Sequence, residues 1–150
     1  MKIGIANDHA AVQFKLMLKE YLETKGYEVI DYGSLDPSAK DDYPDFGLAV
    51  AEAYINGDID KGVLICGTGI GISLAANKVP GIRAAVCNDP VSAAFAVRHN
   101  NANIVAMGER IVGAETAKAI LDAFFGAEFE GGRHEKRVDK ITDIEKKYSK

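Results

Sequence analysis

Five short, nearly uninterrupted apolar runs, with helix-spaced segments between them, constrain this chain more than any other feature. Ile3-Gly4-Ile5-Ala6, Glu28-Val29-Ile30-Asp31, Gly62-Val63-Leu64-Ile65-Cys66, Arg83-Ala84-Ala85-Val86-Cys87 and Asn103-Ile104-Val105-Ala106-Met107 read as strands. Strands that are apolar without alternation are buried on both faces, which calls for a parallel sheet with helices above and below it. The connecting segments supply those helices. Val12 to Lys25 carries Phe14, Leu18, Tyr21 and Leu22 at helical spacing and ends at Gly26. Asp45 is placed to cap a helix running to about Asn56, with Phe46, Ala49, Val50 and Ala53 facing inward. Further helices are expected from Ser73 to Lys78, from Pro90 to His99 and from Gly113 to Phe125. The expected fold is α/β: residues 1–150 as a single three-layer α/β/α domain around a five-stranded parallel, Rossmann-like sheet. The order of the fourth and fifth strands stays open. The tail from about 130 to 150 is too polar for a core helix. Its narrow stripe of Val138, Ile141 and Ile144 suggests docking on a neighbouring subunit.

Composition narrows the classes of function. With 47% hydrophobic and 27% charged residues the chain is of the globular type. Its 18 Lys+Arg against 22 Asp+Glu give a net charge of -4, so no general basic field is available for nucleic acid. No apolar run approaches the roughly 20 residues needed to cross a bilayer. The first residues enter a strand pattern directly, without a signal-like apolar region. Two cysteines make no disulfide framework, and a reduced, cytoplasmic setting is the expectation.

Ligands of open parallel sheets bind beyond the carboxyl ends of the strands. That rule selects Asn7, Asp8 and His9, the run from Cys66 to Gly71, Asn88 and Asp89, and Gly108, Glu109 and Arg110. Gly67-Thr68-Gly69-Ile70-Gly71 is the most informative of these. Alternate glycines turn the backbone sharply and offer successive N–H groups to a phosphate or a developing oxyanion. The spacing is neither the dinucleotide fingerprint nor a P-loop. Cys66, next to this loop, reads equally as a small buried hydrophobe or as a base or nucleophile. Cys87 has no such loop and fits the core. Asp8, His9 and His99 have no metal-ligand spacing, so acid/base and hydrogen-bonding roles are favoured over a metal. His99 reads as readily as a surface residue. Arg133 and Arg137, four apart, form either a phosphate clamp or a solvated ion-paired face.

Taken together, Asn7-Asp8-His9-Ala10, Asp42-Tyr43-Pro44, Cys66 to Ser73 with Ala75-Ala76-Asn77-Lys78, Arg98-His99-Asn100, Gly108-Glu109-Arg110 and Gly131 to Val138 resemble the signature blocks of the type B ribose-5-phosphate isomerases. That family also includes allose-6-phosphate and galactose-6-phosphate isomerases, and the likeness runs from the first strand to the tail. It implies interconversion of ribose 5-phosphate and ribulose 5-phosphate through a cis-enediolate, without metal or nucleotide cofactor. In that reading Cys66 is the base, the backbone from Gly67 through Gly69 and Ile70 to Gly71 stabilises the enediolate, and Thr68 assists. His99 opens the furanose ring with Asp8 on the opposite hydroxyl. Tyr43 and Asn100 contact the sugar, and His9, Arg110, Arg133 and Arg137 hold the phosphate. The resemblance further implies a homodimer or dimer of dimers whose site is completed across the interface, His99, Asn100 and Arg110 serving the neighbour. Ala11 stands where glycine is frequent in the family. Ile72 stands where one branch has a glutamate base, which leaves the thiol for that role. A six-carbon sugar phosphate such as allose 6-phosphate is the alternative substrate. A non-catalytic sugar-phosphate or nucleotide sensor is the remote alternative.

Overall fold

The computed structural model describes residues 1–150. Strands β1 (Lys2–Asn7), β2 (Glu28–Asp31), β3 (Lys61–Cys66), β4 (Ala84–Val86) and β5 (Ile104–Gly108) are separated by helices α1 (Val12–Thr24), α2 (Tyr43–Ile55), α3 (Ile70–Ala76) and α4 (Pro90–Asn100). Helices α5 (Ala114–Gly126) and α6 (Arg133–Tyr148) follow the last strand. Every strand pair is parallel, in the order β2-β1-β3-β5-β4. The α/β reading therefore holds, and the open question of strand order is answered: β5 lies between β3 and β4.

Successive side chains leave a strand on opposite faces, and the sheet accordingly divides two cores. Ile3, Ile5, Val63, Ile65, Val105 and Met107 meet Leu18 and Leu22 of α1, Val97 of α4 and Ile120, Leu121 and Phe124 of α5. On the other face Ala6, Leu64, Cys66, Ile104 and Ala106 meet Val50, Ala51 and Ala53 of α2 and Ile72 and Ala76 of α3.

Three helix details depart from the sequence expectation. Helix α2 starts at Tyr43, not after a capping Asp45: Asp42 holds the N-cap position and Asp45 falls in the first turn. Pro44 belongs to that turn, where its missing N–H costs nothing. Helix α3 starts at Ile70, inside the glycine run, because Gly69 adopts a left-handed conformation (φ 79°) that folds the loop straight into helix. The inner face of α1 is Val12, Lys15, Leu18 and Leu22, while the Tyr21 hydroxyl donates to Asp122 Oδ2 at 2.7 Å.

Lys15 is thus a charge on a core-facing position, with no exposed surface. Its Nζ donates to Asp31 Oδ2 at 2.7 Å and to the Ser34 carbonyl at 3.1 Å. Asp31 Oδ1 in turn accepts the Gly33 N–H at 2.8 Å. The ion pair pins the start of the β2–α2 connection, which then runs along β1 through Tyr32 N–H to the Ile5 carbonyl and Ser34 N–H to the Asn7 carbonyl.

Helix α6 packs on its own chain. Val138 is buried, Glu130 N–H donates to the Arg98 carbonyl just ahead of the helix, and the Glu145 carboxylate accepts the Gly81 N–H at 3.0 Å. Ile141 and Ile144 stay exposed. No helix is long and apolar enough to cross a membrane.

Candidate active site

Strand order reverses between β1 and β3, so their carboxyl ends frame a crevice. The register sets the crevice walls level: Asn7 opposes Ile65, and Cys66 opposes Gly108 of the inserted strand β5. Asp8 is buried at the end of β1. Its Oδ1 accepts the Ala10 N–H at 3.1 Å and starts the single helical turn His9–Ala11.

Cys66 forms the floor, 5% exposed, its side chain on the α2/α3 face of the sheet. Its Sγ accepts the Gly69 N–H at 3.1 Å. The Cys66 and Gly67 carbonyls accept the N–H groups of Glu109 and Arg110, at 2.9 and 3.0 Å, which ties the loop to the end of β5. This approach is backbone on backbone. A Cβ at Gly108 would fall 2.5 Å from the Thr68 main chain, and one at Gly69 2.7 Å from that of Met107. The Ile70 N–H is taken by Thr68 Oγ1 at 3.2 Å, whereas those of Gly67, Thr68 and Gly71 have no backbone acceptor. Unspent amides in a tight loop are what an oxyanion needs.

Two side chains complete this end. The Arg110 guanidinium lies over Gly67, its Nε 3.6 Å from where a Cβ would stand. The Tyr43 ring covers Gly71, where a Cβ would meet it at 2.7 Å. Beside them His9 Nδ1 lies 2.9 Å from Asp41 Oδ1, and the same oxygen accepts the His9 backbone N–H at 2.9 Å. Arg110 therefore stays with its own chain's loop and does not join His99 and Asn100.

His99, Asn100, Arg133 and Arg137 lie at the other end of the sheet. The Asn103 N–H donates to the Arg83 carbonyl and the Ala102 N–H to the Ala96 carbonyl, which sets the end of α4 at the amino ends of β4 and β5. A strand of this length spans on the order of 15 Å, so no chain brings His99 to its own Cys66. His99 stacks on His134 (centroids 4.2 Å, planes 7° apart) and on Phe95 at 4.7 Å. Glu130 Oε1 accepts from Arg98 Nε at 3.1 Å and lies 3.6 Å from His99 Nε2. Burial, together with His99 and Arg133 nearby, pushes the pKa of His134 down. Arg133 and Arg137 line one groove of about 340 Å³ with Lys136 and Lys140. The set Asp8, His9 and His99, weighed from sequence as ligands, is split between the two ends. His99, Glu130 and His134 do converge, with ligand atoms within 4.8 Å. Imidazole lone pairs lie in the ring plane, however, and two parallel planes do not meet at one ion.

The remaining candidates are structural. Asp89 Oδ1 caps α4 by accepting the Ser92 N–H at 2.7 Å, and the hydrogen bonds from Ser92 hold its carboxyl below the usual range. Cys87 is buried, and burial pushes its thiol up to about 11. Sequence reasoning missed Lys15, Asp41, Glu130 and His134. For Lys15 a signal existed, since its spacing from Val12, Leu18 and Leu22 sets it on the inner face.

Comparison with known proteins agrees with this geometry. Residues 3–141 match the family model described as Ribose/Galactose Isomerase. The chain is 49% identical over 146 residues to ribose-5-phosphate isomerase B of Escherichia coli, covering 97% of each. The solved structure of Clostridium thermocellum ribose-5-phosphate isomerase B superposes with a TM-score of 0.97 at 56% identity, covering 99% of this chain and 100% of that one. That of Mycoplasma genitalium ribose-5-phosphate isomerase B with bound ribulose-5-phosphate gives 0.91 at 45% identity, covering 97% and 96%. A thiol beside a glycine loop at the crevice of this sheet, matched along nearly the whole chain, makes it a member of the ribose/galactose isomerase family.

Proposed function

We propose that residues 1–150 act as one sugar-phosphate isomerase domain that interconverts D-ribose 5-phosphate and D-ribulose 5-phosphate through a cis-enediolate, with the Cys66 thiolate as base. The observation that carries this reading is the Cys66 sulfur beside the unspent amides of Gly67, Thr68 and Gly71. Removing a proton from carbon next to a carbonyl requires a base and a fixed positive environment for the oxygen that gains charge. The sulfur takes the proton from C2 and returns it to C1, while the loop amides and Thr68 carry the enediolate oxygens as the hydroxyl proton passes from O2 to O1. Tyr43 contacts the sugar. The phosphate, remote from the reacting carbons, orients the chain through His9 and Arg110.

The second half of the site comes from a second copy. His99, Asn100, Arg133 and Arg137 of the neighbour face the crevice, where His99 protonates the ring oxygen with Asp8 on the opposite hydroxyl. The active unit is then a homodimer or a dimer of dimers, and exposed Ile141 and Ile144 of α6 give that neighbour an apolar seat. Cys66 and Cys87 are free thiols, which suits a reducing, cytoplasmic setting.

Purified protein with ribose 5-phosphate should yield ketose, with lower kcat/KM on allose 6-phosphate. The reverse preference would make it a hexose-phosphate enzyme, and binding without turnover would make it a sensor. Mixing supplies the test of sharing. Cys66→Ala and Arg137→Ala proteins, each impaired alone, should regain roughly a quarter of wild-type activity after subunit exchange, because half the dimers then carry one intact site. If exchange is demonstrated and activity does not rise, the site is not shared in this way.

A further inference from the structure

The Asp41–His9 pair is not explained by the fold, and His9 projects from it with its side chain 40% exposed. We propose that Asp41 is a positioning residue for phosphate recognition: one carboxylate oxygen accepts both the backbone N–H and the Nδ1–H of His9 and thereby aims the Nε2–H at the substrate phosphate. The inference rests on the reading of His9 as a phosphate ligand.

The chemistry follows from the donor inventory. A carboxylate only accepts, so the hydrogen in the 2.9 Å contact sits on Nδ1. A neutral ring with that hydrogen offers Nε2 as a lone pair, which a phosphate oxygen repels. Only the imidazolium has a second N–H at Nε2, so His9 serves the phosphate when charged. The hydrogen bond that the ring donates to Asp41 is the main cause that lifts His9 above its ordinary value of 6.5, with burial opposing and the charges of Asp41 and Asp8 adding. The charged groups facing the ring are Asp41, from the β2–α2 connection, and Asp8, from its own turn. The donor is present at low pH and is lost as pH rises through the raised value.

Asp41 is itself held in place. Burial pushes its carboxyl up, but the nearby Ser34 hydroxyl and the hydrogen bonds donated by His9 outweigh this and hold it below the usual range. Ser34 is fixed through its carbonyl by the buried Lys15. A chain of contacts thus runs from the core to the phosphate end of the crevice.

The test compares wild type with Asp41→Asn, which keeps an oxygen acceptor for the backbone N–H but removes the charge. KM for ribose 5-phosphate and inhibition by inorganic phosphate are measured across about pH 5.5 to 9, the range in which His titrates. Titration of the phosphates themselves is common to both proteins and cancels in the comparison. In Asp41→Asn the pH at which KM climbs should move down, toward the ordinary value, and KM at pH about 7.5 should rise several-fold with kcat within about twofold. Identical pH profiles, or a loss confined to kcat, would overturn the proposal.

Proton NMR of the three histidines in the wild type is a second readout that needs no stable Asp41 variant. With the His9 signal assigned through His9→Gln, His9 should titrate above its ordinary value and shift on addition of inorganic phosphate. A His9 midpoint at or below the ordinary value would overturn the proposal as well. Should the wild type fail to isomerise ribose 5-phosphate, the substrate reading fails, while the NMR midpoint still decides the role of Asp41.

Discussion

Cys66→Ala protein should fold as the wild type does and turn ribose 5-phosphate over about a thousandfold more slowly. The size of the loss follows from what a positioned base contributes, on the order of 10² to 10⁴ in rate. No neighbouring group replaces it in this reading: Asp8 serves the hydroxyl opposite the ring oxygen, and Ile72, on the first turn of α3, is apolar and buried. The fold should tolerate the change, since the side chain removed is small and its backbone still anchors Glu109. A stability loss on the order of 1 kcal/mol is expected for deleting a single buried heavy atom. KM should change little, because phosphate recognition lies elsewhere in the site. Steady-state kinetics with a urea unfolding curve on the same preparation checks both halves. Turnover within tenfold of wild type would remove the thiol from the mechanism.

Asp31→Ala should be the most destabilising single change at the edge of the site, by about 3–5 kcal/mol. The reason is Lys15, whose ammonium has no access to water and would keep only the Ser34 carbonyl as partner. Lys15→Met should cost much less. It removes the buried charge with a similar apolar volume, and the partly exposed Asp31 can turn to solvent. Lys15→Met combined with Asp31→Ala should therefore be more stable than Asp31→Ala alone, a non-additivity that urea midpoints at constant slope would reveal. Equal losses for the two single variants would mean that the pair is not acting as a buried ion pair.

The sheet was legible because its strands are apolar on both faces, and the crevice because glycines cluster after the strand ending in Cys66. Strand order was not legible. β4 pairs with three residues only, and nothing in Ala84-Ala85-Val86 says that β5 intervenes. The start of α2 is hidden because Asp45 looks like a cap, whereas the extended backbone at Asp42 and Pro44 in the first turn decide the boundary. The glycine run disguises the start of α3: its composition suggests loop up to Ser73, whereas the left-handed Gly69 launches the helix at Ile70. At the site, Cys66, Asp8, Tyr43 and Arg110 were found from strand ends and motifs and do converge on one crevice. That His99 and the tail arginines occupy the opposite end is a matter of tertiary path, which local spacing does not encode. The Asp41–His9 pair spans 32 positions and left no periodic trace.

The separation of the two clusters by the height of the sheet has an evolutionary corollary. If each pocket takes one end from each of two chains, a duplicated gene is free to decay asymmetrically. One descendant can keep the thiol end while the other keeps the arginine end, and the pair still builds one working pocket although neither self-assembles into any. Obligate two-gene enzymes can thus arise from this architecture by loss alone, with no new chemistry invented.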